Sequence, residues 1–175
     1  MHTIQIKPHT LILMSLIFLL PIRACGSRPT RPCPPKHSFI SLNPDSFDIQ
    51  KEYPNEYYLD LNMQDSEDIP LPKDTKKGCY NLSAYVLEMT FQKTDDRPAE
   101  ARLYFKDHRY KMNISFLQDI TSKEPICFDP ELDDKSYKNQ ISDFTCIRAV
   151  GAEIPGGAEN VEVISATLIK REDNP

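Results

Sequence analysis

Ala101-Arg-Leu-Tyr-Phe-Lys106, a connection through Asp107-His-Arg109, and Tyr110-Lys-Met-Asn-Ile-Ser-Phe-Leu117 read together as a β-hairpin. Both arms are rich in aromatic and aliphatic residues with polar ones interleaved, the pattern of a pleated surface buried on one side. The alternation predicts that Leu103 and Phe105 face a core together with Tyr110, Met112, Ile114 and Phe116. Lys111, Asn113 and Ser115 then point to solvent. A lone hairpin is marginal in water, so its apolar face requires further strands elsewhere in the chain.

Those strands can be read on both sides of it. Tyr57-Tyr-Leu-Asp-Leu-Asn-Met63 alternates with Tyr57, Leu59, Leu61 and Met63 on one face, and a short helical turn is expected between Asp45 and Glu56. Cys79-Tyr-Asn-Leu-Ser-Ala-Tyr-Val-Leu-Glu-Met-Thr-Phe91 is apolar on both faces, which predicts a single central strand. Asp143 to Val150 and Asn160 to Lys170 add two more, separated by a connection from Gly151 to Ala158. Residues 64–78 carry acids first and lysines last and read as an exposed loop. Many short strands and little helix predict a mainly β, single-domain fold, either an antiparallel β-barrel or a β-sandwich.

The N-terminus sets the compartment. The apolar run from Thr10 to Ile22 is about a dozen residues, too short for a bilayer core of roughly 30 Å, and small residues follow it. It reads as a signal peptide over residues 1–26, so the protein is expected to be secreted, without stable membrane insertion. Cleavage after Gly26 puts Ala24 and Gly26 at the two small positions and discards Cys25; cleavage after Ala24 would keep Cys25 as an odd thiol. A lipidated Cys25 is disfavoured by Arg23, where such motifs need a small residue. Of the five cysteines, Cys33, Cys79, Cys127 and Cys146 remain after Gly26, an even set that allows two disulfides in three pairings. With no odd thiol to join two chains, a monomer is expected. Residues 27–42 form a Pro-rich, basic arm pinned by Cys33, and residues 43–175 form the β domain.

Composition narrows the functional classes. The chain has 175 residues and a formal charge of −5, which gives no basic footprint for nucleic acid. Asn81-Leu-Ser83 and Asn113-Ile-Ser115 are glycosylation sequons without an intervening proline. Asp129-Pro-Glu-Leu-Asp-Asp134 spaces its acids like a calcium loop, but Asp134 stands where glycine is needed and Gln140 where the closing glutamate is needed. Beyond the signal peptide only His37 and His108 remain as histidines, one in the arm and one in the hairpin turn. Nucleophile-elbow, zinc-helix and phosphate-loop motifs do not occur, so the expectation is a binding protein without catalysis, cofactor or metal.

Taken in order, Asp45-Ser-Phe47, Glu56-Tyr-Tyr-Leu59, Cys79, Met89-Thr-Phe91, the hairpin of residues 101–117 and Cys146 resemble the layout of the tick salivary lipocalins over residues 43–150. The resemblance implies a small β-barrel that scavenges a host mediator such as a biogenic amine or fatty-acid derivative, or that binds a host extracellular protein. In such a barrel Tyr57, Tyr85 and Phe105 are the aromatics placed to line a cavity, although aromatics at strand spacing are also ordinary core. The competing architecture is an open β-sandwich that works through its surface, as an inhibitor or as a structural or reproductive extracellular protein. A cavity separates the two: the scavenger needs an apolar pocket, the surface binder a filled core and an exposed patch.

Overall fold

The structure, a computed structural model, describes residues 32–49, 53–63, 71, 73–74, 77–109, 112–121, 123–133 and 144–172. The signal peptide, Cys25, the start of the arm, Tyr110, Lys111 and most of the 64–78 loop lie outside the described residues.

The strands form two antiparallel sheets. The first contains β1 (Phe39–Leu42), β12 (Val161–Lys170), β6 (Tyr85–Lys93) and β10 (Pro125–Phe128), in that order. The second runs β2 (Asp48–Ile49), β3 (Glu56–Asp60), β11 (Ile147–Glu153), β7 (Glu100–Asp107) and β8 (Met112–Ile114). Three two-residue strands extend it: β4 (Lys73–Asp74) and β5 (Cys79–Tyr80) beside the start of β11, and β9 (Gln118–Asp119) beside the start of β7. Among the described residues the sheets do not close into a barrel. The arrangement is sandwich-like, and the second of the two expected architectures is the one that fits.

The core lies between the sheets. Leu87, Met89 and Phe91 of β6, Phe128 of β10 and Leu168 of β12 share one buried cluster with Leu59 of β3, Leu103 and Phe105 of β7 and Val150 of β11. The Phe105 and Phe128 rings, one from each sheet, meet at 5.3 Å, and the Tyr57 hydroxyl crosses between sheets to donate to the Val161 carbonyl.

Several sequence expectations are corrected here. The run from Cys79 to Phe91 is two strands in different sheets, because the Asn81 side chain accepts from the Ser83 backbone N–H at 3.0 Å and turns the chain between them. Met63 is not in the core: β3 ends at Asp60, whose carboxylate accepts from the Asn62 backbone N–H at 2.9 Å, and Met63 is left 85% exposed in the turn. The hairpin register pairs Phe105 with Asn113 and Tyr104 with Ile114, the opposite parity to the one expected. Ser115 is consequently buried, its Oγ accepting from the Leu103 N–H at 2.9 Å. Gly151 does not end a strand; β11 continues through it to Glu153. The expected turn after Asp45 is a short 3-10 helix at Pro44–Ser46.

β12 carries a bulge at Ile164, between the Val163–Phe91 and Ser165–Thr90 pairs. One extra residue reverses the facing of everything after it. Val161 therefore faces the core before the bulge, Ala166 and Leu168 after it, and Ile164 is left 44% exposed.

The disulfides pair Cys33 with Cys127 and Cys79 with Cys146. The first ties the arm to the edge strand β10, and the second ties β5 to the 3-10 turn that leads into β11. Cys127 lies within strand β10.

Candidate functional site

The second sheet turns one face to the core and the other outward, and the outward face carries an unusual density of tyrosine. In β3 the core-facing residues are Tyr57 and Leu59, so Glu56, Tyr58 and Asp60 look out. Register aligns Glu56 with Glu153 and Arg102, Tyr58 with Gly151 and Tyr104, and Asp60 with Ala149 and Lys106.

Gly151 lets that central row form. A Cβ at this position would stand 2.0 Å from the Tyr57 carbonyl oxygen and 2.6 Å from the Tyr104 hydroxyl, closer than atoms can approach. The space is used by Tyr104, which lies against the glycine backbone with no exposed surface and donates its hydroxyl to the Tyr57 carbonyl at 3.0 Å. An aromatic ring covering a strand glycine from the neighbouring strand repairs the gap left by the missing side chain. Burial pushes the Tyr104 hydroxyl well above the ordinary phenol range, and negative charge at Glu56, Tyr58 and Glu153 pushes it the same way.

Lys106, aligned with Ala149 and Asp60, lies on the same outward face. Its Nζ lies 5.2 Å from the centre of the Tyr58 ring and 6.0 Å from that of Tyr53, within cation–π range. Tyr53 itself is half exposed. Charges surround the group: Arg102 pairs with Glu153 at 3.5 Å and Arg148 with Asp60 at 3.2 Å. Partial burial raises the Glu56 carboxyl; Lys106 opposes that rise and the like charge of Glu153 reinforces it.

The face continues into one pole of the sandwich, where three loops are locked together by backbone bonds. Thr94 N–H donates to Asn160 O at 2.9 Å, Ile154 N–H to Asn55 O at 2.6 Å, and Ala158 N–H to Pro54 O at 3.4 Å. Between them lies a pocket of about 40 Å³ bordered by Asp95, Arg97, Gly156 and Asn160, the volume of a water or two. The Arg97 Nε donates to Asp95 at 2.7 Å, and hydrogen bonds from Arg97 hold the exposed Asp95 carboxyl below its ordinary value. Rigid loops next to an aromatic, mixed-charge face suit protein contact.

The aromatics expected at a cavity are not brought together. Phe105 is fully buried against Phe128 and Phe144. Tyr57 is tied to Val161, which pairs with Lys93, whereas the partly buried Tyr85 pairs with Lys170 at the far end of β12. About 30 Å of strand separates those two positions. Of the two histidines, His37 faces Glu172 at 3.6 Å at the pole opposite the three loops, and His108 sits in the hairpin turn.

Under the arm, Glu88 is 3% exposed and meets Lys36 Nζ at 2.5 Å. The ligand atoms of Cys33, Glu88 and Cys127 lie within 4.8 Å of one another, but the sulfurs are spent on the disulfide and offer no thiolate to a metal. In the acidic run 129–134, Asp129 is buried and bound to Arg171 at 3.2 Å, a structural pairing rather than an open cation loop.

Sequence reasoning missed Tyr53, Tyr58, Tyr104 and Lys106. The signal that could have found them is Gly151 inside an otherwise strand-forming run, which marks a close approach of another group. No protein-family model matches this chain, and no curated protein matches it.

Proposed function

We propose that the chain is a secreted, non-enzymatic binding protein that engages an extracellular protein partner through the tyrosine face of its second sheet and the adjoining loops. One contrast carries this reading: Phe105 and Tyr57 are spent on packing and bonding between the sheets, while Tyr53 and Tyr58 are presented outward around Lys106. Tyrosines with two rotatable bonds and a polar tip give contact area at small entropic cost, and neighbouring Arg and Glu side chains supply register. The two disulfides accord with an oxidising compartment.

The tick-lipocalin resemblance offers the other reading, an enclosed small ligand, which calls for a closed barrel with a lined cavity. Native mass spectrometry of protein recovered from the secretion medium, with melting curves in a biogenic amine and in a fatty acid, discriminates. A ligand-free mass and unmoved melting temperatures are expected; a co-purifying small molecule or a clear upward shift would overturn the surface reading. The complementary measurement is capture of extracellular partners by the wild-type protein and by a Tyr53→Ser/Lys106→Glu variant. Equal capture by both would remove the tyrosine face from the reading.

A further inference from the structure

We infer that Asn81 carries an N-linked glycan and that this sugar stands at the pole opposite the three loops; the inference rests on the secreted, surface-binding reading above. The sequon lies in the turn between β5 and β6. Asn81 Oδ1 accepts two bonds from Ser83, from its N–H at 3.0 Å and from its hydroxyl at 2.7 Å. Both use the carbonyl oxygen, so the amide nitrogen that would hold the sugar takes part in neither.

The residue between them anchors the turn. Leu82 is fully buried in the core, its N–H donates to Phe144 O at 2.9 Å, and its carbonyl accepts from Tyr85 N–H at 3.0 Å. With Leu82 pointing in, its neighbours point out: Ser83 is exposed and Asn81 partly so. A sugar on Asn81 therefore displaces no core contact.

The transfer uses an oligosaccharide linked through a diphosphate to a membrane lipid. The Asn81 Nδ2 forms a bond to C1 of the first sugar, the C1–oxygen bond to the diphosphate breaks, the lipid diphosphate leaves, and the nitrogen gives up one proton. Cys79 stands two residues before the acceptor and is bridged to Cys146.

Position gives the glycan its consequence. Arg171 donates from its backbone N–H to Ala84 O at 2.8 Å and from its guanidinium to Ser83 O, which fixes the sequon beside the end of β12 and the arm. The three loops that adjoin the tyrosine face lie at the other end of β6, about 30 Å away. The sugar shields the arm pole and leaves the loop pole open, which restricts a partner to approach from the loop side.

The test is glycopeptide mapping of the full chain secreted from eukaryotic cells, with the sugar released enzymatically in heavy-oxygen water. Asn81 is expected to return as labelled aspartate, to lose the label in Asn81→Gln and Ser83→Ala, and to keep it in Ser83→Thr. Secreted, disulfide-bonded protein with unmodified Asn81 would overturn the inference while leaving the binding reading standing. A chain retained unprocessed in the cell would overturn both. Partner capture by Asn81→Gln is expected to equal wild type; loss of capture would overturn the approach of the partner from the loop pole, away from the sugar.

Discussion

Gly151→Ala tests the packing that shapes the outward face. The added methyl would stand 2.0 Å from the Tyr57 carbonyl oxygen and 2.7 Å from the Tyr104 ring carbon bearing the hydroxyl. A side chain can rotate away from such a contact, but a backbone oxygen in the middle of a ladder cannot without shifting its strand. Overpacking of this kind costs about 1–3 kcal/mol, and a backbone clash belongs in the upper half of that range. For a domain of roughly 150 residues each kcal/mol lowers the melting temperature by about 2–4 °C, so a fall of roughly 5–10 °C is expected. Tyr104→Phe removes only the hydroxyl bond to Tyr57 O, about 1 kcal/mol. It is not expected to rescue Gly151→Ala, because the ring carbon and the carbonyl both remain. Urea and thermal melts followed by circular dichroism read these changes, with an unaltered urea slope showing that stability alone has moved. A Gly151→Ala protein that melts with the parent would refute the packing argument.

Two further outcomes are expected. Joint replacement of Cys33 and Cys127 by alanine opens a bridge spanning 94 residues, for which chain entropy sets an upper value of about 4.7 kcal/mol. The loss in urea melts should fall short of that, since the Lys36–Glu88 pair and the β1–β12 ladder still hold the arm; unchanged stability would refute the brace. Glu56→Gln should gain stability relative to the parent at neutral pH and lose that advantage on acidification. Its folded carboxyl is raised, so the protonated form is favoured on folding: that contribution is complete below the unfolded pKa near 4.5 and is lost as pH rises through the folded value. Parallel melting curves of the two proteins across that range would contradict the burial of Glu56.

How much of this was legible in the sequence depended on whether an effect was periodic or local. Alternation identified the hairpin arms and the strand at Tyr57, because period-two hydrophobicity is a property of every strand with one buried face. It failed where one residue changed the parity. The bulge at Ile164 and the Phe105–Asn113 register shift a side chain from one face to the other without altering composition, and nothing in the sequence marks them. The division of the run from Cys79 to Phe91 was recoverable in principle, since Asn81 and Ser83 are turn formers inside an apolar stretch. The pairing of the four cysteines was not, because it depends on which sheet each strand joins.

The outward face stayed hidden for a related reason: tyrosines at strand spacing look alike whether they point in or out. Tyr57 and Tyr58 are adjacent, yet one bridges the sheets and the other meets Lys106 on the outside. Gly151 links the two sides, since the same missing Cβ admits the Tyr57 carbonyl and seats Tyr104 beneath the surface. A structural and a binding role can therefore be told apart by comparing positions. Substitution at Gly151 or Tyr104 should weaken folding and partner capture together, because both residues support the platform. Substitution at half-exposed Tyr53 should weaken capture while the melting temperature holds. If Tyr53 variants lose stability in proportion to capture, the tyrosine face is a second small core of the fold and the contact surface lies elsewhere.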